Sequence, residues 1–331
     1  ILHHVRTSKG YFLVDLSAEA FIRDDNLESL HRYFSSNHVP MGKVIYLTGC
    51  MNASTVYNEW CNRKGISENT MERMLLVSFP ISQHSISTNM WQITEPEYNT
   101  ELVPQKVFLS WNRRFRNHRT ALVLGLEKAG LVDRSYISMG RVDPENSSFD
   151  FSHTINNHLV SLLCIENEWS TSFLKKLPLV LDGETRIELM CQDFDSAARD
   201  FYTNSLVSIV TETNFEDKEL TLTEKSFKPS KEKHPFIIVG VTGALKAMRE
   251  LGFKTFSDFW DESYDDTQNH VERLSKIIEV AKYISTWDND KILDFKRRVK
   301  PILDHNFQVL KSNTARIAAT NIAEHIRKLT P

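Results

Sequence analysis

Glu224, Lys225 and Lys228 stand within one helical turn and combine a carboxylate with two ammonium groups. A carboxylate is acceptor-only and can take two sugar hydroxyls, whereas an ammonium neutralises phosphate. Together they suit a ligand that carries both, such as a nucleotide-sugar. The plainer reading is a solvated helix start. Just downstream lies His234-Pro235-Phe236-Ile237-Ile238-Val239-Gly240, an apolar run between proline and glycine that predicts a strand buried on both faces. Gly243 then opens an amphipathic helix over 244–251, with Leu245, Met248 and Leu251 on one face and Gly252 as its stop. Strand, glycine turn and helix make half of an α/β unit. Such folds bind ligands beyond the carboxyl ends of their strands, where loops and helix N-termini offer free N–H groups.

A second candidate lies upstream. Lys106–Asn112 predicts a strand, and the eight residues 112–119 hold four arginines (Arg113, Arg114, Arg116, Arg119) and His118. The segment 121–131 is apolar nearly all round, which predicts a buried helix whose N-terminus points at that loop. Fixed positive charge and free N–H groups at one point make a phosphate site. The competing reading is a solvated charge cluster.

Other acidic residues are less sharply placed. Phe259–Asp266 mixes carboxylates with aromatics and could line a cleft or hold a divalent cation, although a capped helix entry with a solvated acidic face explains it as well. Two Asp-x-Asp triplets, Asp193-Phe194-Asp195 and Asp288-Asn289-Asp290, follow no strong strand and read as solvated loop carboxylates. No metal ligand is assigned on these grounds and no cofactor is required, though a divalent metal stays open. The four cysteines (Cys50, Cys61, Cys164, Cys191) form no CxxC pair and read as reduced thiols rather than a disulfide framework or zinc site.

The elements that must position these groups follow from the pattern. In residues 1–102 strands are predicted at 11–15, 43–48 and 74–79, with helices at 26–37 and 53–64 between them. That alternation implies a parallel sheet with right-handed crossovers. The polar stretch 81–103, which contains Pro96, reads as a linker. Beyond it, strands are expected at 106–112, 136–140 and 207–212, a strand and turn at 178–183, and a helix start at 196–202. The tail is helical at 271–284, at 292–310 with Pro301 as kink or break, and at 313–329. A chain of 331 residues, 41% apolar and 25% charged, suits two globular domains. The net charge of −3 argues against a uniformly basic nucleic-acid binder. No apolar run approaches the roughly 18 residues of a membrane span and no signal peptide is read, so no membrane insertion and a cytoplasmic location are expected.

Three of these segments, in order, resemble the nucleotide-binding half of the alpha-1,3-fucosyltransferases, a GT-B-type glycosyltransferase family. They are Lys106–Asn112 with Arg119 and the strand at 136–140, then Val207–Asn214, similar to the family's strand ending in Phe-Glu-Asn, then Thr223-Glu224-Lys225 with the strand at 236–240. The same layout resembles sugar-transferase-like proteins of large DNA viruses and phages, for which the host cytoplasm would be the location. The gap from Glu212 to Glu224 is longer than the family shows and Thr211 replaces its aromatic residue, so nucleotide and sugar identity are not carried over.

The resemblance implies an α/β chain of two Rossmann-like domains facing a cleft: 1–102 for the acceptor, 103–285 for the nucleotide-sugar, and a helical extension at 286–331 that packs back across the first domain. It implies a Leloir glycosyltransferase, with Arg119, Lys225 and Lys228 on the donor phosphates, Glu224 on the ribose, and Glu212 and Asn112 holding the donor. The acceptor is a glycan or a modified base in phage DNA. Inversion needs a base, expected on the first domain at Asp15 or Glu19, with His3, His4 and His84 as further candidates. A Glu-x7-Glu spacing, Glu216 to Glu224, recurs in retaining enzymes and leaves the stereochemistry open. The rival from another class is a nucleotide-binding or assembly module that keeps the fold without catalysis. A dinucleotide oxidoreductase is disfavoured because no GxGxxG follows a strand.

Overall fold

The computed structural model describes residues 5, 10–17, 22–68, 71–79, 95–112, 114–142, 147–148, 150–163, 165, 171–179, 181, 199–312, 320, 322–324 and 326–328. They form an α/β structure with two separate, wholly parallel sheets. The first sheet has the order β1 (Phe12–Leu16), β2 (Val44–Thr48), β3 (Leu75–Ser78). Helices α1 (Asp24–Ser36) and α2 (Ala53–Arg63) make its crossovers. Their apolar faces bury Leu27, Phe34, Tyr57 and Trp60 against one side of the sheet. The other side, Ile45, Leu47 and Val77, meets Ile322 and Ile326 from the helical C-terminal segment.

The second sheet has the order β5 (Ser135–Met139), β4 (Lys106–Asn112), β6 (Ser205–Thr211), β7 (Phe236–Val239). Every residue of β6 and β7 is buried, which is why both read as unbroken apolar runs rather than alternating ones. The helices around this sheet are α3 (Asn117–Lys128), α4 (Ser152–Ile155), α5 (His158–Leu162), α6 (Arg199–Thr203), α7 (Glu224–Lys231) and α8 (Ala244–Glu250). Behind them lie α9 (His270–Ser285) and α10 (Asn289–Ser312).

Two elements differ from the sequence expectation. The arginine-loop helix starts at Asn117, not at 121, because His118 and Arg119 are buried in its first turn and find polar partners there. Apolar periodicity cannot see a turn of that kind. Helix α10 runs unbroken through Pro301. The proline is exposed, while Val299, Leu303, Phe307 and Leu310 on either side of it are buried and hold both halves to the core. Leu179 joins the second sheet only as an antiparallel bridge to Met139. Val180 and Asp182-Gly183 lie outside the described residues, as do residues 313–319 of the predicted last helix.

The segment after β3 is fastened to the second unit. The buried Lys296 ammonium on α10 donates to the Leu102 carbonyl at 2.7 Å and lies 5.2 Å from the Tyr98 ring. The Lys233 ammonium pairs with Glu95 and, at 2.7 Å, with Asp304.

Candidate functional site

In the second sheet the chain leaves β4 for β5 on one side and returns to β6 on the other. The crevice beyond the carboxyl ends of β4 and β6 is therefore a topological switch point, where open α/β sheets bind ligands. Arg119 spans it. From the first turn of α3 its Nη1 donates to the Arg114 carbonyl at 3.0 Å, and its Nη2 reaches the carbonyls of Thr211 and Glu212 at 3.2 Å. Its Nε is buried with no hydrogen-bond partner among the described residues. Burial, then the charge of Arg116, lowers the guanidinium to about 10, while Glu212 and Glu224 oppose the shift, so it stays charged at neutral pH.

Glu212, closing β6, is buried and already engaged. Its carboxylate accepts from the Thr223 amide at 2.9 Å, the Thr223 hydroxyl at 2.7 Å, the Ser226 hydroxyl at 2.5 Å and the Thr213 amide at 3.2 Å. This carboxylate braces the end of β6 against the start of α7. Thr223 is the N-cap of α7, and its hydroxyl also accepts from the Lys225 amide and ammonium. The ammonium of Lys225 pairs with Glu224 at 3.0 Å, both side chains being half-buried. Burial alone would push the Glu224 carboxyl up. The charge and hydrogen bond of Lys225, with Lys228 behind, outweigh burial and hold it below the usual range. Lys228 lies on the same helix and is partly exposed. Asn112, at the end of β4, is buried and committed to Ser138, Ser110 and Thr211. Glu212 and Glu224 both lie near enough to Arg119 for their charges to raise its pKa against the effect of burial.

Three helix N-termini open toward this edge and they are not equivalent. That of α7 is capped by Thr223. That of α8 is capped by Asp265, whose carboxylate accepts the amides of Leu245 and Lys246 at 2.8 and 2.9 Å. The acidic segment 259–266 thus spends Asp265 on capping, and Glu262 accepts from Phe256 N and Thr255 Oγ1. The N-terminus of α3 follows Arg116 and has no side-chain cap among the described residues.

The loop after β6 is shaped by His118, counted with the arginines in the sequence, and by Arg273, which the sequence did not single out. The buried His118 ring stacks on Phe215 at 5.2 Å and its Nε2–H donates to the Glu212 carbonyl at 2.9 Å. Burial and the neighbouring Arg119 drive its pKa to about 3, so the ring is neutral. On the other side, the Arg273 guanidinium lies 4.3 Å from the Phe215 ring and donates to the Phe215 carbonyl. His118 stands in the basic run read as a phosphate site or a solvated charge cluster, whereas Arg273 lies in a helix read only for its apolar face, where no local pattern marks it. Glu216 turns aside to His158 at 3.1 Å, away from the Glu224–Lys225 pair.

On the first unit, Asp15 lies one residue before the carboxyl end of β1. It is exposed, and its Oδ1 accepts the Ser17 amide at 3.0 Å. Glu19, His3, His4, His84, Arg113, Asp193 and Asp195 lie outside the described residues. The first unit touches the second through the loop between β2 and α2. Met51 N donates to the Leu220 carbonyl at 2.8 Å, and the Asn52 carboxamide both accepts from Leu220 N and donates to the Lys218 carbonyl at 2.9 Å. The loops that follow β2 and β6 at their carboxyl ends are therefore in contact. Among the described residues no cluster of three His, Cys, Asp or Glu side chains is set to hold a metal. Asp288 in the second Asp-x-Asp triplet accepts the Lys291 amide at 2.8 Å. Among the same residues no helix is long and apolar enough to cross a membrane.

No protein-family model and no curated protein sequence matches the chain. Among solved structures it is similar to a UDP-forming alpha,alpha-trehalose-phosphate synthase from Burkholderia xenovorans. The identity is 10%, the match covers 97% of this chain and 68% of that one, and the TM-score is 0.47.

Proposed function

We propose that the chain transfers a sugar from a nucleotide-sugar donor, bound at the β4–β6 switch point, to an acceptor presented by the first unit. The observation that carries this reading is the uncapped N-terminus of α3, beside the buried charge of Arg119 and within reach of the Glu224–Lys225 pair. A departing diphosphate needs its developing charge met by fixed donors, and these are such donors. Arg119 contributes charge and holds the loop, Lys225 and Lys228 contribute ammonium groups, and Glu224 receives the ribose hydroxyls. Glu212 and Asn112, whose polar atoms are already bonded within the protein, support the donor indirectly by fixing the strand ends. Asp15 or Glu19 takes the acceptor proton, and the acceptor is a glycan or a modified DNA base.

Thermal-shift titration with UDP-, GDP-, CMP- and dTDP-sugars tests it, since a ligand that binds only the folded state raises the melting point. One donor should stabilise the protein. Lys225→Ala should then lower turnover about two to three orders of magnitude, and Glu224→Gln should weaken nucleotide binding by about 1–3 kcal/mol. Binding without turnover of any acceptor would favour the non-catalytic nucleotide module. Failure of all four donors to bind would overturn both.

A further inference from the structure

Asn52 is the N-cap residue of α2, yet its side chain makes no capping bond. An asparagine there ordinarily turns its carboxamide oxygen onto the amides of the first turn, which is among the best uses of the position. Here the carboxamide faces outward instead. Its Oδ1 accepts from Leu220 N at 2.9 Å and from the Cys50 thiol at 3.0 Å, and its Nδ2 donates to the Lys218 carbonyl at 2.9 Å. With Met51 N donating to the Leu220 carbonyl, this short stretch pairs with the loop after β6 much as a strand would. The main chain at Asn52 (φ −100°, ψ 25°) lies outside the extended geometry usual for an N-cap.

The loop it grips has limited freedom. One end is tied back to α7 by the Glu212 brace and the middle is clamped through Phe215 by His118 and Arg273. A pull on residues 218–220 is therefore transmitted to Thr223, three residues on, where the helix carrying Glu224 and Lys225 begins.

We propose that Asn52 is a positioning residue with two homes. With the units together its carboxamide holds residues 218–220. When they part, the main chain at 52 turns to the extended form and the same oxygen caps α2. Each state satisfies the polar group, so the latch opens without stranding a buried donor or acceptor. The inference rests on the proposed donor site only for the ligand that gains from closure. The latch itself is a property of the free protein.

The test separates hooking from capping. Asp is as good an N-cap as Asn but has no N–H to give the Lys218 carbonyl, and Ser caps but is too short to reach it. Asn52→Asp and Asn52→Ser should melt within a few degrees of the parent protein. In both, hydrogen exchange in peptides spanning 217–225 should speed up about tenfold or more, with α2 unchanged. Inorganic pyrophosphate, used as the probe, should bind about 3- to 10-fold more weakly. Asn52→Ala should show the same loop exchange together with faster exchange at the start of α2 and a lower melting point. Parental exchange at 217–225 in the Asp and Ser variants would overturn the proposal, as would loosening confined to α2. If exchange shifts as expected but neither pyrophosphate nor any nucleotide-sugar binds the parent protein, the latch stands and the donor reading falls.

Discussion

At the scale of single residues, buried charge is used to hold main chain. Glu212 collects two amides and two hydroxyls, and Arg119 collects three carbonyls, so removing either leaves several polar groups without partners. Each such group costs about 1–3 kcal/mol. Glu212→Ala should therefore lower unfolding stability by about 3 kcal/mol or more in urea denaturation, with Glu212→Gln between it and the parent. Arg119→Ala should lose stability as well as turnover, which makes Lys225 the cleaner probe of diphosphate binding. The sequence marked both residues by type and place, at a strand end and a helix start. It could not show that their bonds point inward: Arg119 reaches carbonyls 92 and 93 positions away, and Glu212 takes a hydroxyl and an amide of Thr223 and the hydroxyl of Ser226, which only the course of the loop after β6 brings back to it.

At the scale of elements, α3 sits unusually close to α9. Gly125 is the point of contact: a Cβ built there overlaps the Ile278 side chain. Alanine favours helix over glycine by about 1 kcal/mol, whereas overpacking costs about 1–3 kcal/mol. Gly125→Ala should thus be net destabilising, and adding Ile278→Val should recover most of the loss. An additive double variant, read by the same denaturation curves, would reject the contact as the cause. Elements were legible where one physical signal dominates. Strands β2, β4, β6 and β7 are apolar runs with clear ends, and α8 lies between two glycines with left-handed φ, Gly243 at 85° and Gly252 at 92°. The first turn of α3 was not legible, since its polar residues are buried by partners distant in sequence. Nor was the continuity of α10, which depends on packing on both sides of Pro301. The role of Asn52 was not legible either, since its partners at Lys218 and Leu220 lie 166 and 168 positions away.

At the scale of the whole molecule, buried neutral imidazoles set the response to acid. Burial lowers the pKa of His118 to about 3, and of His31 and His234 to about 4. The unfolded chain binds these protons near pH 6.5 and the folded one does not. Stability is therefore full above about pH 6.5 and falls as pH drops toward 4, by up to about 1.4 kcal/mol per pH unit per histidine. Glu262 and Asp265, whose carboxyls burial pushes up, oppose this trend. Urea midpoints between pH 7 and 4.5 should fall for the parent protein and fall less steeply for His118→Gln. Parallel curves would show that His118 is not excluded from protonation.

The chain passes between the two units twice, once after β3 and again beyond Ser312, where Ile322 and Ile326 come to rest on the first sheet. The first sheet is thus finished by side chains from the far end of the chain. A protein cut after Ser312 would leave Ile45, Leu47 and Val77 without that cover, and the first unit, though every one of its strands is intact, would present a bare apolar face to water.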